Sequence, residues 1–204
     1  MSRWVSVLLA LVAISAASRI EAGTGQSVYL TLRAGAQKID GGVYRHGHEG
    51  AILCTFYEQT MTAAREGNVP NGLPTGKRDY APVLCRKTQD AASPLLAKAL
   101  VENQSLEAEF HFVYATPSGA EFTSYTVSLK DARVAFFRQY IAEPPVGSPP
   151  SHVAGPLLED VGFVFRQIEW RVVDPNIAYA DVTARSEAAT TKDVRNSRAA
   201  RWGY

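Results

Sequence analysis

From Glu107 the chain alternates. Ala108, Phe110, Phe112 and Tyr114 share one face of an extended segment, with Glu107, Glu109 and His111 on the other. That period of two predicts a strand with one dry and one wet side. Thr116-Pro117-Ser118-Gly119 supplies a turn, and a second alternating run through Tyr125, Val127 and Leu129 completes a β-hairpin. The phase of the pattern then slips twice. Leu129 is odd-numbered, yet Ala132, Val134 and Phe136 are even; Val161, Phe163 and Phe165 are odd, yet Ile168, Trp170 and Val172 are even. A one-residue slip would turn an apolar set out to water. Each slip therefore marks either a bulge or sharp bend in a long strand, or a corner between two short ones. Both predict a bent sheet, and so a barrel or a two-sheet sandwich.

Elsewhere the pattern is patchier. Val28–Leu32 reads as a first strand, Gly35, Gly41 and Gly42 break the next stretch, and Ala51–Tyr57 reads as a second, continuously apolar strand. Met61–Asp79 is rich in Gly, Pro, Asn and charge and reads as a long loop, of the kind that is functional or disordered. Tyr80–Lys87 returns as a strand. Ser93–Asn103 is the one helix with proper signals: Ser93 as N-cap, Pro94 at the first helical position, and Leu96, Ala99 and Leu100 on one face. Glu143–Gly155 is a Pro-rich insert between strands. From Arg185 to Tyr204 there is no core pattern, which predicts a polar, basic tail.

The first stretch has a different character. Arg3 gives a positive start, Trp4–Ala17 an apolar run, and small residues follow around Ser15–Ser18 and at Ala22. This is the pattern of a secretory signal peptide over residues 1–22, and it is too short for a comfortable span. The alternatives are an uncleaved anchor, or an over-extended start before a domain that begins near Ser27. The full chain of 204 residues has 46% hydrophobic content and a formal charge of +1, enough for one domain with a core. Without Arg3, Arg19 and Glu21 it is formally neutral, which argues against nucleic-acid binding by bulk charge. Cleavage of the leader would leave nothing for stable membrane insertion. Two cysteines, Cys54 and Cys85, would close a loop of about 30 residues as a disulfide in an exported chain; the alternative is two buried thiols.

Catalytic chemistry is poorly signalled. His46-Gly47-His48-Glu49 could offer two zinc ligands, but a third is not indicated, and His111 and His152 are isolated. Nothing brings Glu107/Glu109 or Glu159/Asp160 together as a working pair of carboxylates. No phosphate loop or nucleophile elbow is present, and neither cysteine has an activating neighbour. The sequence reads as a non-enzyme without cofactor.

Several ordered segments resemble the haemolysin-coregulated protein family, the tube-forming subunit of bacterial type VI secretion systems. They are Val28-Tyr29-Leu30, Gly47-His48-Glu49-Gly50 with the apolar run behind it, and Lys87, Asp90 and Ala92-Ser93-Pro94 leading into the helix. The late runs Tyr125–Val134 and Leu158–Trp170 complete the set. The resemblance covers about residues 27–184 and implies a mainly β fold: a curved antiparallel barrel or sandwich with one α-helix. It further implies a homo-hexameric ring with a wide lumen, stacking of rings into a tube, and secreted effectors and sheath or spike components as partners. Arg65, Asn68, Asn71, Lys77 and Arg78 fall in the loop where family members reach an adjacent ring. The leader, the Pro-rich insert and the tail at 185–204 lie outside the family pattern. They point to an alternative: an exported periplasmic or extracellular binding module with the same fold.

Overall fold

Twelve strands and one helix account for the computed structural model, which describes residues 25–65, 74–116, 118–141 and 155–183. They are β1 (Gln26–Ala34), β2 (Gln37–Ile39), β3 (Ile52–Cys54), β4 (Phe56–Glu58), β5 (Met61–Arg65), β6 (Pro74–Tyr80), β7 (Val83–Thr88), α1 (Ser93–Val101), β8 (Leu106–Ala115), β9 (Glu121–Ile141), β10 (Leu157–Val164), β11 (Gln167–Val172) and β12 (Ile177–Val182). Ten strands form one antiparallel sheet in the order β2-β1-β8-β9-β10-β7-β4, with β3 added to β1 and the β11–β12 hairpin added to β9. It is a curled sheet rather than two facing ones. Its ends approach through the consecutive strands β3 and β4, which pair with β1 and β7 respectively.

The β8–β9 hairpin is as its alternation predicts, closed by the Gly119 N–H donating to the Thr116 carbonyl (2.8 Å). The two phase slips have different causes. The first is a bulge inside one 21-residue strand: the β8 pairing shifts between Leu106 and Ala108, opposite Asp131, whose φ is 47°. The second is a corner, with β10 ending at Val164 and β11 starting at Gln167. A third slip escapes the sequence. The β8–β9 register shifts again at Phe112/Val113, where Ser124 of β9 is the extra residue; β8 keeps its alternation, and Val113 is buried on the His111 face with Tyr29 and Ala51. Phe136, grouped above with the apolar set, is also exposed.

Several expected elements are corrected. Ala51–Tyr57 is two three-residue strands broken at Thr55, because each half pairs with a different end of the sheet. Met61–Asp79 contains a hairpin, β5–β6, that forms its own two-stranded sheet. Tyr80–Lys87 is divided at Ala81 and Pro82 between that hairpin and β7. β2 and β12 were not expected as strands. The Pro-rich insert and the tail lie outside the described residues, apart from Gly155.

The main core fills the curl, with Leu30, Leu32, Ile52, Phe110, Leu129 and Phe163 meeting Leu96 and Ala99 of α1. A smaller cluster lies on the other face of β1, where Tyr29, Ala51 and Val113 are covered by the loop at 40–51. That loop leaves no space at its start. A Cβ on Gly41 would sit 2.5 Å from the Ala51 carbonyl oxygen and 2.6 Å from the Ile52 Cα, both backbone. One on Gly162 would meet the Phe136 ring at 2.1 Å, but that ring is 40% exposed and is free to swing away. Gly41→Ala is therefore expected to cost roughly 1–3 kcal/mol and clearly more than Gly162→Ala, measured by chemical denaturation.

Helix α1 is held by charge rather than by an ordinary cap. Ser93 is not the N-cap: Ala92 occupies that position without a side-chain cap, and Ser93 is the first helical residue. Its hydroxyl donates to Glu159 Oε2 (2.7 Å) and accepts from the Asp90 N–H (3.0 Å). Lys87 Nζ, 2.5 Å from Glu159 Oε2 and 2.8 Å from Asp90 Oδ1, completes a buried cluster. Gln139 donates to the other Glu159 oxygen (2.8 Å). At the far end Asn103, with φ 50°, ends the helix as Gln104 N–H returns to the Ala99 carbonyl.

Candidate assembly surface

The β5–β6 hairpin projects as an arm. Met61, Thr62, Ala63, Lys77, Arg78 and Asp79 are all exposed. A two-stranded ribbon has little stability of its own, and beyond Tyr80 the described side chains of this one are exposed, so its direction depends on its root. The Ala81 N–H donates to the Thr60 carbonyl (3.1 Å), and Trp170 Nε1 donates to Gln59 Oε1 (2.8 Å). The Tyr80 ring packs edge-on to Phe165 (5.4 Å) and lies near Trp170, which stacks on Tyr179 of β12 (6.0 Å, 12°).

One carboxylate ties these parts together. Asp181 on β12 accepts from two N–H groups of a bidentate Arg78 guanidinium, Nε at 2.5 Å and Nη2, and from the Tyr80 hydroxyl at 2.5 Å. Those bonds, Arg78's first, hold the Asp181 carboxyl below the usual range. Burial, and then the bond to Asp181, push the Tyr80 hydroxyl up to about 12. Between the arm and β12 lies a cleft of about 660 Å³ walled by Lys77, Tyr80, Val164, Phe165 and Val182.

Beyond the cleft, β12 pairs among the described strands only with β11. Its Ile177, Tyr179 and Val182 are each about 60% exposed, on a strand with an open hydrogen-bonding edge. Such an edge is a template for pairing with another chain. Asp174-Pro175-Asn176 followed by alternating Ile177, Tyr179 and Asp181 was a legible hairpin signal that the sequence reading passed over.

The residues singled out from the sequence scatter. Cys54 and Cys85, both buried, are joined as a disulfide between β3 and β7 (Cα–Cα 5.4 Å); the residues paired opposite Cys85 in its ladders are Tyr57 of β4 and Val161 of β10. Lys77 is exposed on the arm, and Arg78 is held by Asp181 within the same chain. Arg65 ends β5, while Asn68 and Asn71 lie outside the described residues. His46 lies 3.2 Å from Glu49 at an exposed turn, whereas His48 stacks on Tyr29 (4.1 Å, 7°). His111 sits beside Glu109 (3.6 Å); burial pushes its imidazole pKa down, against Glu109. His152 lies outside the described residues. Glu159 and Asp160 are consumed by Lys87 and Arg86, the residues opposite them across β7–β10. Among the described residues no group of three or more His, Cys, Asp and Glu is placed to hold a metal.

Comparison with known proteins agrees with this architecture. Residues 29–172 match the family model described as the type VI secretion system effector, Hcp. The "Major exported protein" of Pseudomonas aeruginosa is 30% identical over 151 residues, 72% of this chain and 83% of the relative. The structure of Hcp1 from Escherichia coli aligns with a TM-score of 0.66 and 28% identity, covering 76% of this chain and 97% of that one. The secreted protein Hcp3 of Pseudomonas aeruginosa shares the fold, with a TM-score of 0.58 at 23% identity over 78% and 99% of the two chains. With most of its length inside the family model, the chain belongs to the Hcp family of type VI secretion tube subunits.

Proposed function

We propose that residues 27–184 form the working subunit of a homo-hexameric ring, and that rings stack into a tube through the β5–β6 arm. The stretch holding Arg65, Asn68, Asn71, Lys77 and Arg78 is the part assigned to the next ring. What carries this is the pairing of two incomplete surfaces on one subunit: an apolar edge on β12 that is unpaired among the described strands, and an arm whose residues 61–63 and 77–79 are all exposed. A ring of heterologous contacts closes such edges. The lumen would take secreted effectors, and the tube would meet sheath and spike components. The role is structural, not catalytic.

Native mass spectrometry of the protein lacking residues 1–22 tests the first step. The expected mass is that of six chains; a strictly monomeric protein at micromolar concentration overturns the ring. Residues 1–22 are proposed as a cleaved leader, placing the protein in the periplasm or outside the cell, with 185–204 as an accessory tail. Export that persists in a strain without the sheath is the result expected of a leader, and export lost there would remove it.

A further inference from the structure

Resting on the stacking role just assigned to the arm, we propose that Arg78, Tyr80 and Asp181 form an intramolecular latch that sets the angle at which the arm meets the next ring. The three are positioning residues: within the stretch assigned to the next ring, the Arg78 guanidinium is engaged by its own subunit and leaves the contact to its neighbours in that stretch.

The geometry supplies the argument. Tyr80 faces Met61 on the root rung of the hairpin and Arg78 faces Ala63 two residues further out. Asp181 therefore grips the arm at two points about 7 Å apart along β6. One point would fix where the arm starts; two fix where it points. The Asp181 side chain is only 6% exposed, and both of its oxygens accept from this pair of residues. A bidentate guanidinium adds direction that a single ammonium would not. Trp170 holds the incoming strand through Gln59 and lies against both Tyr80 and Tyr179, so arm root and β12 edge share one aromatic cluster. The surface that would face a neighbour in the ring and the arm that would reach the next ring are thereby mechanically joined.

The test separates the latch from the tube. Hydrogen exchange of the intact protein reads the latch directly. In Asp181→Ala and Arg78→Ala the β6 amides should exchange at least fivefold faster than in the wild type, with those of β1 and β8 unchanged. Stacking, counted as the fraction of rings found in tubes by electron microscopy, should fall at least fivefold, while native mass spectrometry still gives the wild-type ring. Arg78→Lys should fall between, because it keeps the charge and loses the fork. Unchanged β6 exchange overturns the latch. Faster exchange with unchanged stacking overturns its part in assembly. Wild-type rings that never stack would sink the tube reading itself, and with it the latch's assembly role, while β6 exchange still decides whether the latch holds the arm.

Discussion

Glu159→Ala is expected to destabilise the fold by about 3 kcal/mol, lowering the melting temperature by roughly 6–12 °C for a domain of this size. The Lys87 side chain is 1% exposed, and alanine leaves its ammonium buried without its main counter-charge. Asp90, 2.8 Å away, keeps the loss from being larger. Replacing both partners, Lys87→Met with Glu159→Leu, should recover most of the stability, since the cost lies in orphaning a charge rather than in losing a pair. A double variant no more stable than Glu159→Ala would contradict this account. The cluster also sets an acid limb. Burial alone would raise the Glu159 carboxyl, but hydrogen bonds from Lys87, Gln139 and Ser93 outweigh it and the net direction is down. A carboxyl held lower when folded contributes fully above the ordinary glutamate value of about 4.3 and loses that contribution as pH falls through the lower folded one. Asp90 runs the other way, raised chiefly by burial, so acid favours its folded form. The difference between wild type and Glu159→Ala should therefore shrink as pH drops below about 4, measured by urea unfolding at a series of pH values.

That cluster marks the boundary of what the sequence makes legible. The strand β8 was legible because one of its faces is dry along most of its length, and α1 because its breakers and apolar face agree. The curvature was legible from the slips, though whether each was a bulge or a corner depended on pairing. Arg86-Lys87 and Glu159-Asp160 are plain as neighbours in sequence, but their opposition is a matter of register between strands more than seventy residues apart. Ser93 has the chemistry of a cap, yet tertiary contact with Glu159 claims its hydroxyl. β5 and β6 read as loop because their described side chains beyond Tyr80 are all exposed, leaving no dry face there to impose a period of two. β12 had the Asp174-Pro175-Asn176 turn to announce it, but Ile177, Tyr179 and Val182 stay largely exposed, so no continuous dry face reinforced that signal. Elements with few buried side chains carry the weakest local pattern, and here they are the candidate functional ones.

Reduction of the Cys54–Cys85 bond is expected to cost about 3–4 kcal/mol by the chain-entropy estimate for its 31-residue separation, which is roughly 6–16 °C in melting temperature. Its position gives the loss a location. β3 is paired with β1 and β4 with β7, and only Thr55 lies between them; the bond to Cys85 crosses the seam at which the sheet's two ends approach. The same seam is bridged by the Thr55 N–H donating to the Arg86 carbonyl (2.7 Å), with Arg86 in turn over the Phe56 ring. Once the bond is cut, the weakest holding should be on the β4 side, where a three-residue strand remains with one hydrogen-bonded neighbour. Thermal melts with and without reductant, set beside a Cys54→Ala/Cys85→Ala variant, measure the stability. Hydrogen exchange on β4 and β7 measures the place. Both cysteines are buried, so reduction should be slow in the folded state and follow opening of the seam. A double variant that melts within about 2 °C of the oxidised protein would show that packing of Ile52, Val83 and Phe163 closes the curl unaided. A loss of the expected size would instead tie full stability to an oxidising compartment, the environment in which a protein exported through residues 1–22 would fold.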